Sequence, residues 1–199
     1  MKAKLKWFFE SFIWLFVLGL VIDIVSKAIV KNNMIEGEAG QIILIPRFLA
    51  ITFSWNNAAA FGMGFPNPEV NRWIYIVVAL IASGVILYFY IRKNRTYGKF
   101  IKACLMCILV GAVGNLIDRL IYGKVVDFID FFGIWGAIFN VADSFVVVGT
   151  FMLIIYLIVE EVKDYRAKKA SEPQPTGKVI SKTEQEKIER EHEDDSVEN

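Results

Sequence analysis

Three aspartates lie in or beside strongly apolar sequence. Asp118 and Asp127 fall within "GNLIDRLIYGKVVDF" (Gly114–Phe128), and Asp143 falls within "GAIFNVADSFVVVGT" (Gly136–Thr150), with Asn115, Arg119 and Asn140 among them. A carboxylate near hydrocarbon is costly, about 2.5–3.5 kcal/mol for Asp at the centre of a membrane helix and less near its ends, so such residues are functional candidates. Two carboxyls in a poorly hydrated pocket cannot both ionise easily. One keeps a proton while the other acts as base, and between them they can activate a water and protonate a leaving amine. That chemistry needs no metal. His192 is the only histidine and sits in a polar tail, which argues against a zinc hydrolase. Cys104 and Cys107 have C-x-x-C spacing without a second ligand pair, and read as small apolar residues on a buried helix. No metal and no cofactor are expected.

Each polar residue also has a plainer reading. Asn140 and Asp143 have the spacing of a capping box, and a carboxylate at a helix start meets the positive end of the helix dipole. Asp127 alone reads as a wet loop residue, and Asp118 with Arg119 as a boundary ion pair. The guanidinium fork makes Arg119 a good organiser of carboxylates. Asp23 and Lys27 are four apart on one helix and read as a structural pair. Gly111 and Gly114 allow close helix approach. Asn56 and Asn57 precede "AAAFGMG", a small-residue run that borders a cleft, forms a flap or simply turns.

The elements that must position these residues are membrane helices. Of 199 residues, 55% are hydrophobic, and the mean hydropathy is +0.46. Four runs reach the roughly 20 apolar residues that span a bilayer: Trp7–Val25, Trp73–Ile91, Phe100–Ile121 and Ile138–Val159. The first follows "MKAKLK" but is too long for a signal peptide and lacks a small-residue cleavage site, so it reads as a retained helix. The net charge of +1 says little, whereas its distribution says more. Lys2, Lys4 and Lys6, the "RKNRTYGK" connection, and Lys163, Arg166, Lys168 and Lys169 must share a side, which puts both termini in the cytoplasm. Loops 28–72 and 122–137 then face outward. "GQIILIPRFLAITFSWN" suits strands, with Pro46 at an edge or a break, and predicts a small antiparallel sheet against the membrane. "KAIVKNNM" predicts a short interfacial helix. The division expected is a membrane domain over 1–162 and a charged tail over 163–199, disordered by composition, with room for a short solvated helix at Lys182–Glu193. Asp118 comes 18 residues into the third span, roughly 27 Å at about 1.5 Å per residue. Asp143 lies about one turn into the fourth span, and Asp127 lies in the connection between them. All three therefore converge at the outer boundary, where Asp143 reads as half of a catalytic pair.

Taken together, these blocks resemble the signal peptidase II family. "DIVSK" (Asp23–Lys27) resembles D-x-x-[ST]-K, and "NNAAAF" (Asn56–Phe61) resembles N-x-G-x-A-F, with Ala58 where the family has Gly. "GNLIDRLIYGKVVDF" is similar to the block holding G-N-x-x-D-R and V-x-D-[FY], and "FNVADS" (Phe139–Ser144) matches F-N-x-A-D-S. The resemblance implies a four-helix membrane aspartic peptidase with Asp127 and Asp143 catalytic. Asn115, Arg119 and Asn140 would hold the dyad and substrate, and Asn56 would face the substrate backbone. Asp118 would be a supporting partner, and Asp23 and Lys27 structural residues near the mouth. It implies diacylglyceryl prolipoproteins as substrates, cut just before the lipid-bearing cysteine at the outer face of a bacterial inner membrane. The expected partners are those substrates and membrane lipid, with no nucleic acid, and the expected state is a monomer. A small proton- or ion-coupled transporter or channel subunit is the competing class, but the acids cluster at one face and none lies mid-membrane. A membrane scaffold presenting the tail leaves the Asp–Arg–Asn cluster unexplained.

Overall fold

The computed structural model describes Phe8 and residues 10–58, 65–92, 96–132 and 137–171. Four helices carry the apolar sequence: α1 (Ile13–Asn33), α2 (Pro68–Arg92), α3 (Lys99–Tyr122) and α4 (Val141–Ser171). All four are long and apolar enough to cross a membrane. They expose large side chains such as Val21, Ile81, Ile121 and Phe151, the surface expected of helices solvated by lipid. The protein is a multi-pass α-helical membrane protein.

The helix limits differ from expectation where charge is neutralised inside the fold. The first span does not stop at Val25. The "KAIVKNNM" segment is not a separate interfacial helix but the continuation of α1 to Asn33, because Lys27 finds carboxylates in the interior. Pro68 opens α2, where a proline's missing N–H costs nothing, and Asn67 Oδ1 accepts the Glu69 N–H at 3.0 Å as its cap. Gly123, at φ 75°, closes α3 with its N–H on the Arg119 carbonyl at 3.1 Å. Ile138 and Phe139, expected at the head of the fourth span, are a strand. That helix runs past Val159 and Lys163 to Ser171, so residues 163–171 of the charged tail are helical. The expected disorder beyond 171 and the helix at 182–193 lie outside the described residues.

The chain divides into two compact units, Met1–Leu157 and Ile158–Asn199. The described part of the second is exposed helix, with a Lys163–Glu160 ion pair at 2.9 Å. The first holds an antiparallel sheet, β1 (Ile42–Ile45), β2 (Leu49–Asn56), β3 (Val125–Asp130) and β4 (Ile138–Phe139), in that order. Pro46 and Arg47 turn β1 into β2, with Phe48 N–H on the Ile45 carbonyl at 3.1 Å and Arg47 at φ 60°. Val30, Phe53, Val126 and Phe128 form the core that seats the sheet on α1. Gly111 and Gly114 serve close approach as expected. A Cβ at Gly111 would overlap Val146 and the Ala142 carbonyl, and one at Gly114 would lie 2.5 Å from Asp23 Oδ2.

Candidate active site

Asp127 is not in a loop. It lies in β3 and is buried, 2% exposed. The β-branched and aromatic residues of this segment suit a strand, but "VVDFID" does not alternate polar with apolar, so the strand carried no periodic signal. Strand β2 pairs with it across a bulge: Ile51 faces Ile129, but Ser54 faces Asp127, so β2 has one residue more than β3 over that interval. Side chains alternate faces along a strand, and an extra residue reverses which set shares the partner's face. Thr52, where the bulge begins, keeps the face of Ala50 and donates its hydroxyl to Asp130 Oδ2 at 2.9 Å, while Asn56, beyond the bulge, donates Nδ2–H to Asp127 Oδ2 at 2.8 Å.

Asp143 lies in the first turn of α4, and Asn140 precedes that helix. The capping box is formed: Asp143 N–H donates to Asn140 Oδ1 at 2.9 Å, and Asn140 N–H donates to Asp143 Oδ2 at 3.1 Å. The cap and the acid cluster prove to be one arrangement. Asn140 Nδ2 donates to Asp127 Oδ1 at 2.7 Å and to Asn115 Oδ1 at 3.1 Å. Asn115 Nδ2 donates to the other Asp143 oxygen, Oδ1, at 2.7 Å. Asn140 is thus a single fully buried residue bonded to both carboxylates.

Asp118 and Arg119 do not pair, since consecutive helical residues point in different directions. Arg119 donates to the carbonyls of Ala58 at 3.1 Å and Asn115 at 3.4 Å, and lies 5.0 Å from the Tyr75 ring centre. Tyr75 carried no sequence signal. Asp118 instead pairs with Lys27 at 3.2 Å, and Lys27 with Asp23 at 2.9 Å. The Asp23 contact is ionic rather than an aligned hydrogen bond, for its Oδ2 has no hydrogen-bond partner. Asp23 and Lys27 are buried, 0% and 3% exposed, because the Asp23 face of α1 packs on Gly114 of α3. Ala58, in place of the family glycine, has no positive φ, and its N–H is held by Asn56 Oδ1 at 2.8 Å, so the methyl imposes no backbone strain. The rest of the small-residue run, 59–64, lies outside the described residues.

A cavity of about 500 Å³ joins these groups. Asn56, Asn115, Arg119, Asp127 and Asp143 supply its polar side, and Trp55, Ile138, Phe139, Val146 and Val147 its apolar walls. Burial, and next the charge of Asp143, push the Asp127 carboxyl up to about 7, against the Asn56 and Asn140 donors and the charge of Lys27. A carboxyl that still holds much of its proton near pH 7, beside a second carboxyl, has the arrangement that acid–base chemistry requires.

The fold and this cluster define a four-span membrane protein with a paired-carboxyl site at one end of its helices. The model of the family described as Signal peptidase (SPase) II matches residues 15–159. The chain is 40% identical to the lipoprotein signal peptidase of Clostridioides difficile (strain 630) over 153 residues, 76% of this chain and 97% of that protein. It is 37% identical to that of Staphylococcus aureus (strain JH9) over 169 residues, 84% and 97% of the two chains. A bacterial membrane enzyme solved by the in meso method at 2.3 Å superposes with a TM-score of 0.67 at 34% identity, covering 81% of this chain and 93% of that one. The protein belongs to the signal peptidase II family and is, as a member, a protease.

Proposed function

We propose that the protein is an aspartic endopeptidase that removes signal peptides from diacylglyceryl-modified prolipoproteins, cutting just before the lipid-bearing cysteine. One observation carries the reading: Asp127 and Asp143 share one cavity and are joined through Asn140. Asp143 accepts an amide N–H from Asn115 and a backbone N–H at the positive end of α4, an environment that suits the charged partner. Asp127 is the acid. A water between them gives a proton to Asp143 as its oxygen adds to the scissile carbonyl, while Asp127 protonates the carbonyl oxygen. Collapse returns that proton to Asp127, and Asp143 passes its own to the leaving cysteine nitrogen, so one water is consumed and both carboxyls are reset. Asn56 faces the substrate backbone, Arg119 with Asn115 and Asn140 holds dyad and substrate, and the apolar walls receive lipid and signal-peptide side chains.

The Lys/Arg placement supports a bacterial inner-membrane protein with cytoplasmic termini and the dyad at the outer face. The working unit is a monomer in contact with membrane lipid, without nucleic acid, metal or cofactor. The deciding experiment is incubation of purified protein in detergent with a purified diacylglyceryl prolipoprotein. Release of the signal peptide with the lipidated cysteine as new N-terminus is expected. An intact substrate, or a cut elsewhere, would overturn the proposal.

A further inference from the structure

The chemistry above makes no use of the three buried charges beneath the cavity. Lys27 Nζ lies 2.9 Å from Asp23 Oδ2, 3.2 Å from Asp118 Oδ2 and 3.0 Å from Asn115 Oδ1. Asp23, Lys27 and Asp118 are 0%, 3% and 6% exposed. A buried ion cluster is a poor way to hold helices together, because desolvation offsets most of the attraction and apolar packing does the same task as well. Its hydrogen bonds point to a different task. Asp23 Oδ1 accepts the N–H of Ala142, the residue before Asp143, at 2.8 Å. Asp118 Oδ2 accepts the N–H of Val126, the residue before Asp127, at 3.1 Å. Lys27 stands between these two carboxylates and also touches Asn115, whose Nδ2 donates to Asp143.

The Asn115 amide has two faces, and its neighbours distinguish them. Its oxygen receives donors from Lys27 and from Asn140 Nδ2. Turned over, it would set its NH₂ against an ammonium and its oxygen against a carboxylate, losing every bond. We propose that Lys27 is a positioning residue for the dyad: held between Asp23 and Asp118, it fixes the Asn115 amide in the orientation that donates to Asp143, while the two carboxylates tie down the backbone beside each catalytic residue. The inference rests on the peptidase reading. Lys27 is absent from the cavity lining and does not enter the bond-making steps.

The test separates this role from simple support of the fold. Lys27→Met alone strands two buried carboxylates, and loss of folding is expected there. The balanced variant Asp23→Asn/Lys27→Met/Asp118→Asn removes all three charges together and keeps amide oxygens to accept from Ala142 and Val126, so both backbone bonds remain while the Asn115 oxygen loses Lys27. The charged groups facing the dyad are Lys27 and Asp23 from α1 and Asp118 and Arg119 from α3, with Tyr75 of α2 against Arg119; the variant leaves the last two in place. The folded variant should show kcat at least tenfold lower, KM within twofold of wild type, and the acidic limb of the pH–rate profile, which belongs to the pair, moved to higher pH. Asn115→Ala should cost less in the balanced background than in the wild-type one, since the amide has already lost the Lys27 share of its orientation and keeps only Asn140 on its oxygen. Wild-type kcat and pH profile in the folded variant, or a fully additive Asn115→Ala, overturns the inference.

An infrared titration of ¹³C-labelled aspartate reads the same link without substrate. The carboxylic-acid band that disappears in Asp127→Asn should titrate at a different pH in the balanced variant, and adding Asn115→Ala should move it less than the same substitution does in the wild-type background; an unmoved midpoint, or equal shifts in both backgrounds, overturns the inference. A moved midpoint in a protein that cleaves no prolipoprotein would sink the peptidase reading and leave the positioning role standing.

Discussion

At the scale of single residues, the proposed site is two carboxyls whose environments differ. Asp127 is enclosed and takes amide donors on both oxygens, while Asp143 sits half-buried at a helix start. Asp127→Asn and Asp143→Asn each keep shape and remove the titrating group. Each should lower kcat by about 10²–10⁴ or more in folded protein, and the two losses should not add. Retention of more than about a tenth of the rate by Asp143→Asn, a barrier change under about 1.4 kcal/mol, would leave Asp143 with the cap alone. Stability gives a second check. Because burial raises Asp127 from its ordinary 3.8 to about 7, the folded chain holds a proton that the unfolded chain releases between those values. Its contribution to stability therefore falls as pH rises from about 4 to about 7, then levels off. Asp127→Asn lacks this loss, so its melting temperature relative to wild type should climb across that window; a flat difference would contradict the raised value. Asp127, Asp143 and Asn140 were legible in the sequence because polar residues in apolar runs are conspicuous. The partner of Asp118 was not, since Lys27 lies 91 positions away and only packing chooses it over the adjacent Arg119.

At the scale of elements, the start of α4 joins capping to chemistry. Asn140→Ala removes the cap, worth about 0.5–2 kcal/mol, and also both of its amide bonds to the site. Chemical denaturation should show that loss of stability, and kcat should drop at least tenfold under conditions where the variant is fully folded. An unchanged kcat would leave Asn140 as a cap only. The four helices were legible from apolar length, and their ends from Pro68 and Gly123 once caps are considered. The end of α1 was hidden because a lysine reads as an exit from the membrane until its acidic partners are known. Strands β3 and β4 were hidden by brevity, and β4 also by its apolar continuity with α4.

At the scale of the whole molecule, four spans with the acids at one end imply a topology that can be read directly. Reporters placed after Lys169 and within "RKNRTYGK" should be cytoplasmic, and one within Glu36–Gln41 should be external. A cytoplasmic signal from the last site would invert the molecule and put the dyad on the wrong face for a translocated substrate. The class of fold was legible from composition and charge alone. The meeting of α1, α3, β3 and α4 around one cation was not, because it arises from close approach at Gly111 and Gly114, which periodicity does not report.

The extra residue in β2 gives this strand something like a reading frame. Asn56 meets Asp127 only because one residue more stands on β2 than on β3 between Ile51 and Ser54. Deleting Phe53 would leave every codon of the dyad intact and still turn Asn56 to the opposite side of the sheet. A genetic screen starting from that deletion should recover activity through single-residue insertions between Ile51 and Asn56, which restore the count, and seldom through point substitutions. Suppressors consisting mainly of substitutions elsewhere would mean that the sheet finds another way to present Asn56. The length of β2 would thus be inherited as strictly as the identity of the acids.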